Sequence, residues 1–171
     1  MSEQSNNIKQ RIINISTIAG IVIIFFLLLQ CFSQFFSQWG TRRLAMRVVC
    51  GSHIHNLGKT ITIYAQDHND MYPAADKWCD LLMEDKDFNK KILLCSADKA
   101  GPCSYAINPN CEPNSQGNVV LLFESKPGWN QNGGAELLNP DNHKDKGCNI
   151  IFNDGHIDWI EAKDFNSLKW K

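Results

Sequence analysis

The groups best able to do chemistry near the end of the chain are His143, Asp154, His156 and Asp158. Imidazole and carboxylate are suitable donors for a metal or a hydrolytic centre. Their spacing favours another use. Asp154-Gly155 separates two apolar runs, as in a tight hairpin turn where Gly takes positive φ and Asp bonds the turn backbone. His156 and Asp158 stand two apart, so on a strand they share one face. These residues are read as hairpin chemistry, with no catalytic residue and no bound metal expected. Two oxygen-rich sets, Asp67, Asn69 and Asp70, and Asn108, Asn110 and Glu112, are candidate calcium ligands. Neither has EF-hand spacing, and helix capping or loop turns use the same residues. Calcium is thus the one cofactor the sequence leaves open. His53 and His55, also two apart, cannot face one metal from a helix. No G-x-S-x-G, P-loop or G-x-G-x-x-G occurs, and no nucleophile stands beside a base, so an enzyme is not expected.

Cysteine usage points to the compartment. Cys31 lies in an apolar run; the other six are Cys50, Cys79, Cys95, Cys103, Cys111 and Cys148. Close pairs such as C-x2-C, which a zinc site read from sequence would need, are absent. An even set in a polar body suits an oxidising compartment, and these six are the candidate disulfide cysteines, with the pairing open.

The elements that must position these groups begin with a membrane segment. From Ile12 to Thr41 the 171-residue chain has no charged residue. As a helix, residues 12–36 extend about 37 Å, enough to cross a hydrocarbon core of about 30 Å. The run is longer than a secretory signal's apolar stretch, and no small-x-small site follows it. Leu28-Leu29-Gln30-Cys31 resembles a bacterial lipobox only faintly, because Gln30 stands where a small residue belongs. Lys9 and Arg11 on one flank nearly balance Arg42, Arg43 and Arg47 on the other, so cysteine usage decides the orientation. The expected organisation is a short tail (1–11), a transmembrane helix (12–36) with a cytoplasmic N-terminus, and an extracytoplasmic domain (37–171). The charge of −1, from 17 basic and 18 acidic residues, offers nothing to hold a nucleic acid.

Beyond Gly40, Leu44, Val48, Ile54, Leu57, Ile61, Tyr64 and Ala65 recur at helical spacing, and Tyr72-Pro73 follows the stop at Asp67-His68-Asn69-Asp70. Trp78–Met83 fits a short helix, Ala97 to Gln116 a loop, and Asn118 to Phe123 a buried strand. Cys148–Phe152 and His156–Glu161 form the two arms of a hairpin.

Cys50, Ser52, Gly58, Tyr64, Ala65, Asp67 and Pro73 stand at the fixed positions of C-x-S-N-L-K-Q-I-G-L-A-L-x-x-Y-A-x-D-x-x-G-x-x-P. That segment resembles the post-helix region of bacterial pilin-like (pseudopilin-type) proteins of the DUF1559 group. Trp78, Cys95-Ser96, Tyr105 and Asn108 look like further landmarks of that group. His143 with Asp154-Gly155-His156 resembles its H-x9-D-G signature, with ten residues in place of nine between His143 and Asp154. The resemblance spans roughly Thr41 to Glu161. The Gly and the Phe-Thr-Leu-x-Glu of prepilin leaders are absent at Gln10-Arg11-Ile12-Ile13, so leader cleavage is not expected, and the missing Glu counts against a filament.

The resemblance implies an α+β fold, with a long N-terminal helix, half membrane and half amphipathic, packed on a small antiparallel sheet. The expected function is a non-enzymatic, single-pass pseudopilin-like structural protein of the cell envelope or a type II secretion-like assembly. Its partners would be the lipid bilayer and itself or other pilin-like subunits, with no nucleic acid. The alternative is a membrane-tethered module that binds calcium or another ligand, such as a glycan, in its Asn/Gly-rich loops around Trp129.

Overall fold

The computed structural model describes residues 2–97, 101–143 and 146–171, with the backbone alone for 2–16 and 36–39. It divides into two compact units, Met1–Arg42 and Arg43–Lys171. Residues 98–100 of the loop expected from Ala97 to Gln116 lie outside the described residues, as do the side chains of Lys9 and Arg11.

Helix α1 is assigned to Ser2–Asp67, so it takes in residues 2–11 of the expected tail. In the first unit it is apolar on every described face. Ile21 and Leu28 are both more than 60% exposed, and the most apolar window is 0% buried. Such a helix is long and apolar enough to cross a membrane.

In the second unit the helix becomes one-sided. Cys50, Ile54, Leu57, Ile61 and Ala65 are buried, at three- and four-residue spacing. Leu44 and Val48, expected on this stripe, are exposed, so the packed face begins at Cys50. The helix ends where the N–H groups of His68 and Asp70 both donate to Ala65 O, with Asn69 and Asp70 at positive φ. That backbone reversal makes Asp67–Asp70 the stop expected from the sequence.

Helix α2, Trp78–Met83, matches its expected bounds. Its first turn is capped from a distant loop, since Asn130 Oδ1 accepts from Cys79 N–H at 2.8 Å. The sheet is an antiparallel meander, β1 (Tyr105–Ile107), β2 (Val120–Glu124), β3 (Gly147–Phe152) and β4 (Ile157–Glu161), in that spatial order. Strand β1 falls inside the expected Ala97–Gln116 loop. It is only three residues long, and it is held by the pairing of Tyr105 with Glu124 and of Ile107 with Leu122. The β3–β4 turn is Asn153-Asp154-Gly155-His156, with Gly155 at φ 86° as the sequence required.

Strands β2 and β3 are buried along their whole length because both faces are covered. Leu121 and Ile151 join the cluster with Ile54, Leu57 and Trp78. Phe123 and Ile150 join a second cluster with Leu168 and Trp170 of the C-terminal segment. Gly58 permits the helix to approach β3, since a Cβ there would lie 2.3 Å from Ile151 Cδ1.

Candidate functional site

The residues able to do chemistry converge inside the core of the second unit. Each is delivered by a different part of the chain. Cys50 opens the buried stripe of α1. Cys95 follows the 3-10 turn Lys90–Leu93, and its N–H donates to Ser104 Oγ at 3.1 Å. Glu124 ends β2. His143 comes from the segment after Leu138, which runs back along β2 through the Ser125–Leu138 bridge and the bond from Asn139 N–H to Glu124 O.

Their donor atoms all lie within 4.8 Å of one another, and all four residues are buried. His143 Nε2 is 2.9 Å from Glu124 Oε1 and 3.4 Å from Cys95 Sγ. Neither the His143 nor the Glu124 side chain has any solvent exposure. Asn149 secures the carboxylate, donating its backbone N–H to Oε2 at 3.1 Å and its Nδ2 to Oε1 at 2.8 Å. Cys50 Sγ accepts from Ser96 N–H at 3.0 Å. Trp159 closes the outside, edge-on to the His143 ring and under the Arg47 guanidinium at 4.2 Å.

The electrostatics divide the two thiols. Cys50 lies in the second unit, outside the apolar span. Its pKa is lowered, first by the hydrogen bond from Cys95 and then, against burial, by bonds from His143 and Ser96. The Cys95 thiol is pushed up by the same bond and by burial. For His143, burial pulls the pKa down, but hydrogen bonds to Cys50 and Glu124 outweigh it and raise the value to about 9. The cluster therefore favours a thiolate on Cys50 beside an imidazolium or another cation.

Two surface clefts lie elsewhere. One, of about 580 Å³, is lined by Asp70, Tyr72, Asn108, Glu112 and Asn114 among others. A smaller one, of about 220 Å³, lies beside Gly58 and Ile151. Neither includes a member of the buried cluster.

The structure brings together only part of the expected set. Cys50, Cys95 and His143 meet, and Tyr105 supports them, its hydroxyl donating to Cys50 O at 3.4 Å. Asp154 and His156 do not join His143; they pair with each other in the exposed β3–β4 turn. Asp158 is exposed on β4. Asn108 is structural, since its Nδ2 donates to Val120 O and Trp170 O while its Oδ1 accepts from Asn110 N–H. Ser52 and Asp67 are exposed on α1, Tyr64 is half-buried and stacks on His68, and Pro73 is buried. His53, expected on the surface, is half-buried, with Nδ1 2.9 Å from Leu94 O.

Of the six candidate disulfide cysteines, Cys50 neighbours Cys95 and Cys79 neighbours Cys103, each pair sharing a hydrogen bond. Cys111 and Cys148 sit in separate buried surroundings. All six are free thiols in this structure. Glu124 has no counterpart in the sequence reading. Its signal was a lone acid directly after Val119-Val120-Leu121-Leu122-Phe123, inside a strand buried on both faces.

Comparison of the chain with protein-family models, curated proteins and solved structures returns no match.

Proposed function

We propose that this chain is a non-enzymatic, single-pass membrane protein, a pseudopilin-like structural component of the bacterial cell envelope. The observation that carries the reading is the division of α1. Among the described residues, 18–29 are apolar all round and unburied, as lipid contact requires, and the continuation in the second unit is apolar on one stripe against an antiparallel sheet. An apolar helix exposed on every described side has no use in water. The meander and its helix supply a compact body to hold outside the membrane. The Cys50, Cys95, Glu124 and His143 cluster is sealed in its core, where no substrate reaches it, which favours a structural role for it over catalysis. An extracytoplasmic body and self-association through the apolar helix complete the reading.

The test uses Cys31, exposed on the apolar helix. Cells producing the full chain are fractionated, and intact membranes are treated with a bifunctional thiol reagent. The expected result is extraction by detergent alone, not by salt or alkali, and a cross-linked dimer that Cys31→Ser abolishes. A salt-extractable protein overturns the anchor. A detergent-extracted protein that stays monomeric at every dose favours the second reading, a membrane-tethered binding module.

That second reading rests on the cleft beside Asp70, Tyr72 and Glu112, where two polar loops meet. Trp129 is not part of that cleft; its Nε1–H donates to Asp80 Oδ1 at 2.8 Å.

A further inference from the structure

We propose that Cys50, Cys95, Glu124 and His143 form a closed structural site for one tetrahedral zinc ion. The proposal stands independently of the membrane reading, since the site lies wholly within the Arg43–Lys171 unit.

The first argument is geometric. With Zn–S of about 2.3 Å and Zn–N or Zn–O of about 2.0 Å, a tetrahedron sets S···N and S···O edges near 3.5 Å and N···O near 3.3 Å. The observed edges are 3.4 Å from Cys95 Sγ to His143 Nε2, 4.0 Å from Cys95 Sγ to Glu124 Oε1, and 2.9 Å from His143 Nε2 to Glu124 Oε1. Shifts of about half an ångström bring all three to the metal-bound values.

The second argument is chemical. His143 Nε2 faces a sulfur and a carboxylate oxygen, with Cys50 also within reach, and one N–H can serve only one of them well. A single cation at their centre serves all four donors. Two thiolates and an imidazole select a borderline-soft ion such as zinc over calcium or magnesium, which take oxygen ligands. Four protein ligands with no exposed face leave no open coordination position, the mark of a structural rather than a catalytic zinc. Binding releases the thiol protons and any second imidazole proton to solvent, with no change of oxidation state.

The third argument is the shell around the donors. Asn149 fixes the carboxylate through two hydrogen bonds, and Ser96 N–H fixes Cys50 Sγ. Both contacts persist with a metal in place and orient its ligands. His143 presents Nε2 to Cys95 Sγ and Glu124 Oε1, which makes Nε2 the ligating nitrogen.

The Cys79–Cys103 pair provides the contrast. It is also two buried neighbouring thiols, but no imidazole joins it, and the Cys50 cluster is the one metal-competent group among the described residues. A zinc ion at the first pair and a disulfide at the second distinguish two environments that sequence alone presents as equivalent.

The full-length protein is extracted in detergent without reductant or chelator, and its metal content and denatured intact mass are measured. The expected result is one zinc per chain with Cys50 and Cys95 both alkylated after denaturation. Exchange for cobalt should give the thiolate-to-cobalt and ligand-field bands of a tetrahedral site. This measurement needs only the wild-type chain, so it remains decisive if variants misfold. Cys95→Ser and His143→Gln should each lose the stoichiometric zinc, whereas Cys79→Ser should keep it. A metal-free protein with a Cys50–Cys95 disulfide overturns the proposal. So does zinc that survives both Cys95→Ser and His143→Gln, or that is lost with Cys79→Ser.

Discussion

Asn153 shows how single side chains hold the exposed turn to the body. Its Oδ1 accepts from the Tyr72 hydroxyl at 2.8 Å and from the Cys111 thiol at 3.3 Å, while its Nδ2 donates to Ser115 O at 2.8 Å. Both donors must be protonated to do this. Burial pushes the Cys111 thiol up to about 11, and burial followed by the charge of Cys111 pushes the Tyr72 phenol up to about 12. A raised folded-state pKa means the contribution is complete below the unfolded value and is lost as pH rises through the folded one. For Cys111 that window runs from about pH 9 to about 11, with Tyr72 following from about 10 to about 12. Each hydrogen bond is worth about 1 kcal/mol. The melting temperature is therefore expected to fall across pH 9–11, and Cys111→Ala to lose less of it over that interval than wild type. Equal losses in thermal melts of the two proteins would remove Cys111 as the titrating group.

At the scale of elements, the contact between α1 and β3 sets the depth of the core. Gly58 faces Ile151, which is 1% exposed and must shift its Cδ1 to admit a Cβ. Replacing Gly by Ala in a helix normally gains about 1 kcal/mol from propensity. Here the added methyl overlaps Ile151, and overpacking costs about 1–3 kcal/mol. Gly58→Ala is thus expected to destabilise by about 1 kcal/mol net. Pairing it with Ile151→Val should recover part of the loss, and a chemical-denaturation cycle of the four proteins measures that coupling. Most elements were readable from pattern: α2 from its apolar cluster, β2 from a continuous apolar run, β3 and β4 from the Asp-Gly turn. Strand β1 was not, because Tyr105–Ile107 is too short for any period, and its pairing with β2 rather than its own propensity makes it a strand. The exposure of Leu44 and Val48 was not readable either, since helical spacing names a stripe but not the point where a partner begins to cover it.

For the molecule as a whole, the two units obey opposite rules. Residues 18–29 of the first expose apolar side chains all round; the second buries an apolar core that holds six cysteines, while Leu44, Val48 and Ile63 stay exposed on its helix. Cys79 and Cys103 are neighbours without a competing metal ligand, so this pair is expected to oxidise outside the cytoplasm. Cys111 and Cys148 have no thiol neighbour and are expected to stay reduced. After denaturation and alkylation without reductant, peptide mapping should show one linkage, Cys79–Cys103, with Cys111 and Cys148 alkylated. A linkage between Cys111 and Cys148 would contradict this arrangement, because the two thiols belong to different core clusters.

Sequence by itself determined the apolar span, the amphipathic continuation of its helix, the last hairpin and the supply of cysteines and histidines. All of these are local, written in residue type and in spacing over a few turns or strands. Only the tertiary structure decided which of those side chains meet. Cys50, Cys95, Glu124 and His143 are separated by as many as 93 residues in the chain, 143 less 50. They are joined by a helix face, a 3-10 turn, a strand end and a returning loop. No periodicity encodes that convergence, because burial on both faces of β2 turns a lone Glu124 from a surface charge into the centre of a buried cluster. His143 and Asp154, which share the signature read from the sequence, part for the same reason: the hairpin sends Asp154 out to solvent, while the segment after Leu138 carries His143 inward.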